Sequence, residues 1–366
     1  MNDVATIVRP LLEWYDTNKR NLAWRENPTP YHVWISETML QQTRVEAVKG
    51  YYERFLAQLP DIEHLAYVEE ERLLKLWEGL GYYNRARNLK KAAILIVKEY
   101  KGNMPASYEQ LIKLPGIGTY TAGAIASIAF GISVPAVDGN VLRVITRVTA
   151  NEADITLEQT KRNMTAELTK IMPKTRAGAF NQALMDLGAM VCIPNGEPKC
   201  TICPLASQCK AYLENKTDKI PYKTPKKART IEEKTLIVIN REGRVLLHKR
   251  PEKGLLAGMY EIPSILGFQT KENVLSYVKE LGLKPIFIEA LPDSKHIFTH
   301  KEWRMKAYFV KADDLATNTN ITDTKMQYVF VTPEMTEDAY PIPSAFSAYE
   351  QFLKLPVNEF SKNQSL

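Results

Sequence analysis

The sequence predicts two domains, an all-helical one followed by an α+β one, and three observations carry that expectation. The chain has 366 residues, more than a single hydrophobic core usually organises. Apolar residues recur at helical spacing from Ile7 to Met190, and no convincing strand pattern occurs before about residue 234. Beyond that point short alternating runs bounded by Gly and Pro take over. Between the two regimes, Leu213–Lys234 carries Lys216, Lys219, Lys223, Lys226, Lys227 and Arg229 with Pro221 and Pro225, the composition of a basic, semi-extended linker. The expected layout is a helical domain over 1–215, a linker over 216–233, an α+β domain over 234–355 and a tail over 356–366.

Hydrophobic residues make up 45% of the chain and charged residues 25%, with a formal net charge of +6. That is the composition of a globular protein, basic enough to meet nucleic acid without requiring it. The first sixteen residues intersperse charges among apolar side chains, unlike a secretory signal. No run of eighteen apolar residues occurs, which excludes a spanning helix and leaves the cytoplasm as the expected compartment.

Helices are expected over Ile7–Tyr15, Tyr31–Gln42, Glu70–Leu80, Arg85–Tyr100, Thr160–Ile171 and Ala177–Met190. Thr43 and Glu46 have capping-box spacing for a further helix, with Val45, Val48, Tyr52, Phe55 and Leu59 as its apolar stripe. Ser107 is placed to cap a short helix through Leu114. The turn Pro115-Gly116-Ile117-Gly118 breaks it, and a helix of small residues comes next, with Ala122, Gly123, Ala124 and Ala126. Such a turn directs N–H groups and a helix N-terminus outward, an arrangement suited to a phosphate. Asp138, ahead of Gly139-Asn140-Val141-Leu142-Arg143, is a natural helix N-cap.

All four cysteines of the protein, Cys192, Cys200, Cys203 and Cys209, fall within eighteen residues, spaced C-x7-C-x2-C-x5-C. Four thiolates in one loop suit a 4Fe–4S cluster. Zinc is the rival, although it more often uses two separated C-x2-C pairs. Disulfides are disfavoured in a reducing compartment.

The hairpin, the aspartate beyond it and the cysteine loop together resemble the helix–hairpin–helix DNA glycosylases. Ser36-Glu37-Thr38-Met39-Leu40-Gln41-Gln42-Thr43 and Val137-Asp138-Gly139-Asn140-Val141-Leu142-Arg143 are similar to the adenine glycosylase, or MutY, branch. The resemblance implies a 4Fe–4S cluster on the four cysteines. Their first gap is one residue longer than the family's usual one, and the Pro-Asn-Gly turn absorbs it as a bulge. It also implies that a nucleotide is flipped out of the duplex into a pocket.

Glu37, hemmed by Trp34, Ile35, Met39 and Leu40, is suited by its apolar surroundings to a raised pKa and so to general acid work. Asp138 near a helix N-terminus is expected to stay ionised as charge stabiliser or transient nucleophile. By the resemblance, Glu37 acts on adenine N7, Asp138 on the sugar, and Asn140 holds Asp138. Trp24, Arg25 and Gln182 line the base pocket. Gln42, Thr43, Leu80 and Tyr82 reach the DNA around the opposite base, with Gly116 and Gly118 on its backbone. Tyr120 stands where the bifunctional endonuclease III branch has its Schiff-base lysine. A tyrosine cannot form an imine, which implies a monofunctional enzyme.

In the second domain, strands are expected at Thr235–Ile239, Val245–His248, Ile286–Ala290, Ile297–Thr299 and Trp303–Val310, a helix at Lys271–Leu281 and a closing helix at Ser344–Leu355. This order resembles the Nudix-like domain of MutY without the carboxylate cluster that would hold Mg²⁺. The family's Phe-Ser-His loop, which contacts 8-oxoguanine, reads here as Phe298-Thr299-His300. The function so implied is excision of adenine from A:8-oxoguanine or A:G mispairs in double-stranded DNA by a monomer. Two alternatives stand beside it: an endonuclease III-like glycosylase for damaged pyrimidines, and a non-catalytic DNA-lesion binder.

Overall fold

The computed structural model describes residues 4–225, 228–314 and 328–354; the tail expected over 356–366 lies outside them. The chain divides into two compact units, one of Met1–Val68 with Arg87–Pro225, the other of Glu69–Ala86 with Lys226–Leu366. The second unit thus takes in a stretch that sits, in sequence, among the helices.

The first unit is helical among its described residues. Its core is built on the helices Val8–Asn18, Gly139–Thr149 and Ala177–Met190, which bury Leu11, Tyr15, Val141, Val144, Ile145, Val148, Phe180, Leu184 and Leu187 against one another. Pro30–Leu40 and Thr119–Ile128 form a second packed pair. Buried Asn181 secures the approach to Asp138. It accepts from Ala136 N at 3.0 Å and donates to Ser127 Oγ and Val134 O at 2.8 and 3.0 Å, so its amide is satisfied on both sides.

The predicted hairpin is present, with shorter arms. Ser107 caps Tyr108–Leu111, and Gly118 stands at the N-cap of Thr119–Ile128. At Gly116, φ is +74°, and an added Cβ would come within 2.5 Å of Asn88 Cβ. Only glycine meets both demands. The capping box expected at Thr43 is absent. Gln42 adopts a left-handed backbone with φ of +60°, the helix begins at Val45, and its N-cap is Arg44 with no side-chain bond. Thr43 instead turns back to Gln41 O at 3.4 Å. The helix expected over Glu70–Leu80 stops at Leu76, because Gly79 and Gly81 take φ of +92° and +68°.

The stretch expected as a linker is partly fastened. Arg147 donates to Ile220 O and Thr217 O at 2.8 and 2.9 Å. Asp154 accepts from Thr224, through its hydroxyl and through its backbone N at 3.2 Å.

Among its described residues, the second unit carries a mixed seven-stranded sheet of β1 (Thr230–Arg241), β2 (Arg244–Lys249), β3 (Tyr260–Glu261), β4 (Ser264–Leu266), β5 (Leu283–Ile297), β6 (Lys301–Asp314) and β7 (Tyr328–Val331). Its main path runs β3-β2-β1-β6-β5, with β4 on β1 and β7 on β2. β1 and β6 run parallel, and the other pairs are antiparallel.

Alternation assigns the two faces. Leu236, Val238, Trp303, Met305, Ala307 and Phe309 point to a core closed by Phe346 and Tyr349. Ile237, Ile239, Val310 and Ala312 point the other way, under Val274 and Val278 of the helix Lys271–Glu280. The strand expected at Ile286–Ala290 lies within β5, which runs on to Ile297 with register shifts between Pro285 and Phe287 and between Leu291 and Ser294. Of the strand expected at Ile297–Thr299 only Ile297 is strand, because Phe298 and Thr299 form the turn into β6. Pro292 has no N–H for the ladder, and the bulge carries the strand past it. The closing segment is a 3₁₀ turn, Ser344–Tyr349, followed by Glu350–Leu353.

Candidate active site

Glu37 lies on the Pro30–Leu40 helix, started by Thr29 accepting from His32 N and by Pro30 in the first turn. Trp34, Ile35 and Met39 are buried on the same helix, and Glu37 is itself only 7% exposed. Burial pushes its carboxyl up to about 7. The Tyr120 hydroxyl donates to Glu37 Oε2 and opposes the rise, Asp138 adds to it, and Arg25 and Arg20 oppose it. Tyr120, on the Thr119–Ile128 helix, is driven well above its ordinary range by the same burial and by the carboxylates, so it serves as a proton donor in this hydrogen bond.

Asp138 caps the helix Gly139–Thr149, accepting from Val141 N at 2.7 Å and from Asn140 Nδ2 at 2.8 Å. The helix end was expected to keep it ionised. Burial instead raises its pKa, and the donors from Val141 and Asn140, with Arg143 nearby, pull it back. The two carboxyl groups therefore differ in support. Asp138 has several donors that favour its charge, and Glu37 has one.

Asn140 is held in turn. Arg143 donates to Asn140 Oδ1 at 2.8 Å, to Gly188 O at 2.6 Å and to Cys192 O at 2.7 Å. A continuous hydrogen-bonded path thus runs from the first cysteine of the loop to Asp138. One turn on, Arg147 reaches Cys192 Sγ at 3.3 Å and Ile193 O at 3.2 Å.

Arg25 spends its guanidinium on buried Asp186, with bonds of 2.7 and 2.9 Å, and Arg20 shares that carboxylate at 2.7 Å. Arg25 also lies over the Tyr15 ring, whose hydroxyl donates to Gln182 Oε1 at 3.1 Å. Arg25 and Gln182 therefore belong to one network. Trp24 is buried edge-on against Tyr52. Sequence pattern does not single out Asp186 or Asn181, and Arg143 enters it only as the last residue of the Asp138 motif, without a role. A charged or amide residue at a buried position of an apolar helix is the signal that marks Asn181 and Asp186.

In the second unit, Phe298-Thr299-His300 forms the tip between β5 and β6, closed by Phe298 N donating to Lys301 O at 2.8 Å. Phe298 packs edge-on against Trp303. The Tyr82 and Thr299 hydroxyls are 2.6 Å apart. Tyr82 is exposed with φ of +50°, while Leu80 is buried. Gln42 is exposed and Thr43 half-buried in the first unit.

The cysteine loop is folded on two 3₁₀ turns, Cys200–Ile202 and Ala206–Gln208. Among the described residues, no three His, Cys, Asp or Glu side chains close on a single-ion site. Burial pushes Cys203 up to about 12 and raises Cys200 and Cys209, and in each the neighbouring thiols raise it further. Ionised thiolates at these positions would need positive charge beside them, which a bound metal can supply.

The first unit thus combines a helical hairpin at Gly116–Gly118, a buried carboxyl at Glu37 and a helix-capping carboxyl at Asp138. The family model described as HhH-GPD superfamily base excision DNA repair protein matches residues 35–174, and a NUDIX domain model matches 234–350. The adenine DNA glycosylase of Buchnera aphidicola subsp. Acyrthosiphon pisum is 38% identical over 79% of this chain and 82% of its own. That of Mus musculus is 35% identical, covering 87% and 73%. A thermostable thymine-DNA glycosylase structure superposes with a TM-score of 0.52 at 28% identity, over 57% of this chain and 96% of that one. An endonuclease III–DNA complex, at 24% identity and TM-score 0.50 over 58% of this chain and 96% of that one, shares the fold. The chain belongs to the adenine DNA glycosylase family, and it is a DNA N-glycosylase.

The close approach at Gly188 gives a test of the path to Asp138. A Cβ there would sit 2.6 Å from Asn140 Cβ, a distance that backbone on both sides cannot absorb without moving Asn140. Gly188→Ala is expected to slow single-turnover excision about tenfold, the worth of one hydrogen bond to a charged group. Unchanged rates would show that Asn140 does not hold Asp138 for chemistry.

Proposed function

We propose that this glycosylase excises adenine mispaired with 8-oxoguanine, and less well adenine mispaired with guanine, as a monofunctional enzyme. The observation that carries the chemistry is the buried Glu37 carboxyl, raised to about 7 beside an Asp138 supported by several donors. Adenine is a poor leaving group until protonated, and the departing bond leaves positive charge on the sugar. Glu37, the less supported carboxyl, supplies the proton to the flipped base. Asp138, held by Val141 N and Asn140, stabilises the oxocarbenium-like sugar or bonds to it transiently while water attacks. Arg25, Gln182 and Trp24 form the base pocket, and Asp186 fixes the Arg25 guanidinium. Tyr120 orients Glu37 and offers no amine, so strand cleavage through an imine has no nucleophile at that position.

Gly116 and Gly118 are proposed to bring the hairpin backbone against phosphates, and Gln42, Thr43, Leu80 and Tyr82 to contact the duplex around the opposite base. Thr299 and His300, supported by Phe298, are proposed to read the 8-oxoguanine edge. Cys192, Cys200, Cys203 and Cys209 would hold a 4Fe–4S cluster. When bound, that cluster supplies a cross-link for the loop, while Arg143 and Arg147 tie the loop to the site helix.

The testing experiment is single-turnover excision from A:8-oxoguanine, A:G and damaged-pyrimidine duplexes, with borohydride trapping. Release of adenine, strand breaks only after alkali and little trapped complex are expected. Preference for damaged pyrimidines, or efficient trapping, would overturn the reading. Glu37→Gln should lose at least the ~10²–10⁴ of general acid catalysis while still binding DNA. The wild-type rate should fall as pH rises above about 7, because the acid form of Glu37 is the active one. Tyr120 stabilises the ionised form, so Tyr120→Phe should move that alkaline limb to higher pH; a limb that stays in place would separate it from Glu37.

Assembly of the cluster is expected to be coupled to folding of the Cys192–Cys209 loop. Purified protein should be yellow-brown with iron and sulfide in stoichiometric amounts. Colourless protein with one zinc per chain would make the centre a zinc site.

A further inference from the structure

Residues Glu69–Ala86 pack as part of the second unit, and the bonds that hold them there are specific. Glu71 Oε1 accepts from Lys249 Nζ at 2.8 Å and from the Tyr260 hydroxyl at 3.0 Å. Lys75 Nζ donates to Thr336 O at 2.9 Å and pairs with Glu78 at 2.5 Å. Ile342 N donates to Glu78 Oε1 at 2.7 Å. The Lys75 and Glu78 side chains are 13% and 26% exposed, so this pair is shielded from the water that makes most surface ion pairs weak.

The backbone just beyond Glu78 needs fixed ends. Gly79, Gly81 and Tyr82 all take positive φ. From inside the loop, Trp77 Nε1 donates to Gly81 O at 3.1 Å, and Arg85 donates to Leu80 O and Gly81 O at 2.9 and 3.0 Å. At the tip, Tyr82 meets Thr299. Just before the first glycine, Lys75 and Glu78 bond the stem of the loop to the far C-terminal segment.

We propose that the Lys75–Glu78 pair is a positioning device through which the Thr336–Ile342 segment sets where Tyr82 stands, and so helps to set the preference for 8-oxoguanine over guanine opposite adenine. The inference rests on the reading of Tyr82 and Thr299 as contacts to the opposite base. Neither Lys75 nor Glu78 touches substrate; both act through the loop that carries Tyr82. A charge pair bonded to two backbone groups fixes the loop stem in distance and direction, which a purely apolar contact would not.

The test uses the full-length protein and single-turnover excision from A:8-oxoguanine and A:G duplexes. Glu78→Ala and Lys75→Met are each expected to lower the preference about tenfold, through slower A:8-oxoguanine cleavage, with the A:G rate within about twofold of wild type. Glu78→Gln keeps an acceptor for Ile342 N and should recover part of the preference. Combining Glu78→Ala with Thr299→Ala should lower it little beyond Thr299→Ala alone, because both act on Tyr82. Unchanged preference in both single variants, losses that multiply, or equal slowing on both duplexes would overturn the positioning role. If Thr299→Ala and Tyr82→Phe themselves keep full preference, the underlying reading of the opposite-base contacts fails and this proposal with it. If those two lose preference while Glu78→Ala and Lys75→Met do not, only the positioning role is wrong.

Discussion

One buried guanidinium, that of Arg143, joins the parts of the helical unit on which the site depends. It is 4% exposed and bonds Cys192 O, Gly188 O and Asn140 Oδ1. These acceptors come from the cysteine loop, the Ala177–Met190 helix and the helix that begins at Asp138. A buried charge of this kind is tolerable only when its donors are used. Its planar fork reaches acceptors in fixed directions, which lysine could not imitate. The arrangement makes the position of Asp138 a property of three chain segments together.

The same unit sets two carboxyl groups apart by environment. Glu37 sits on a helix whose neighbours exclude water, and its one strong partner is a hydroxyl. Asp138 sits where a helix start offers backbone and amide N–H groups. Burial raises both, and the count of donors separates them. Arg25 and Arg20 act on Glu37 through their field while both bond the single Asp186 carboxylate; two cations on one anion leave a net positive charge near Glu37.

Much of this was legible in the sequence because it depends on local chemistry. The Ala177–Met190 helix was placed at its observed bounds by its apolar run. Asp138 acted as the cap its position suggested, and the alternation in β6 gave the buried face from Trp303 to Phe309. Residues whose meaning lies in a distant partner were not legible: Asp186 needs Arg25, 161 positions away, and Glu78 needs Ile342, 264 away. The Thr43 capping box failed for a local reason of another kind. A left-handed Gln42 precedes a helix start shifted by one residue, with Arg44 rather than Thr43 at the N-cap, and pattern alone carries no record of backbone handedness at a non-glycine. The expected boundary near residue 234 likewise followed composition, whereas Glu69–Ala86 groups by packing with chain that comes much later.

That grouping has a bearing on biosynthesis. A ribosome releases Glu69–Ala86 well before Lys249, Tyr260, Thr336 and Ile342 exist to receive it. Domains generally fold as units during synthesis, N-terminal first. Here Glu69–Ala86, with buried apolar side chains such as Leu73, Leu74 and Trp77, is made long before the residues of its own unit that bond it. The bonds of Lys75 and Glu78 to Thr336 and Ile342 can form only once that late stretch has been made, so an early segment of the chain depends for its fastening on one synthesised hundreds of residues later.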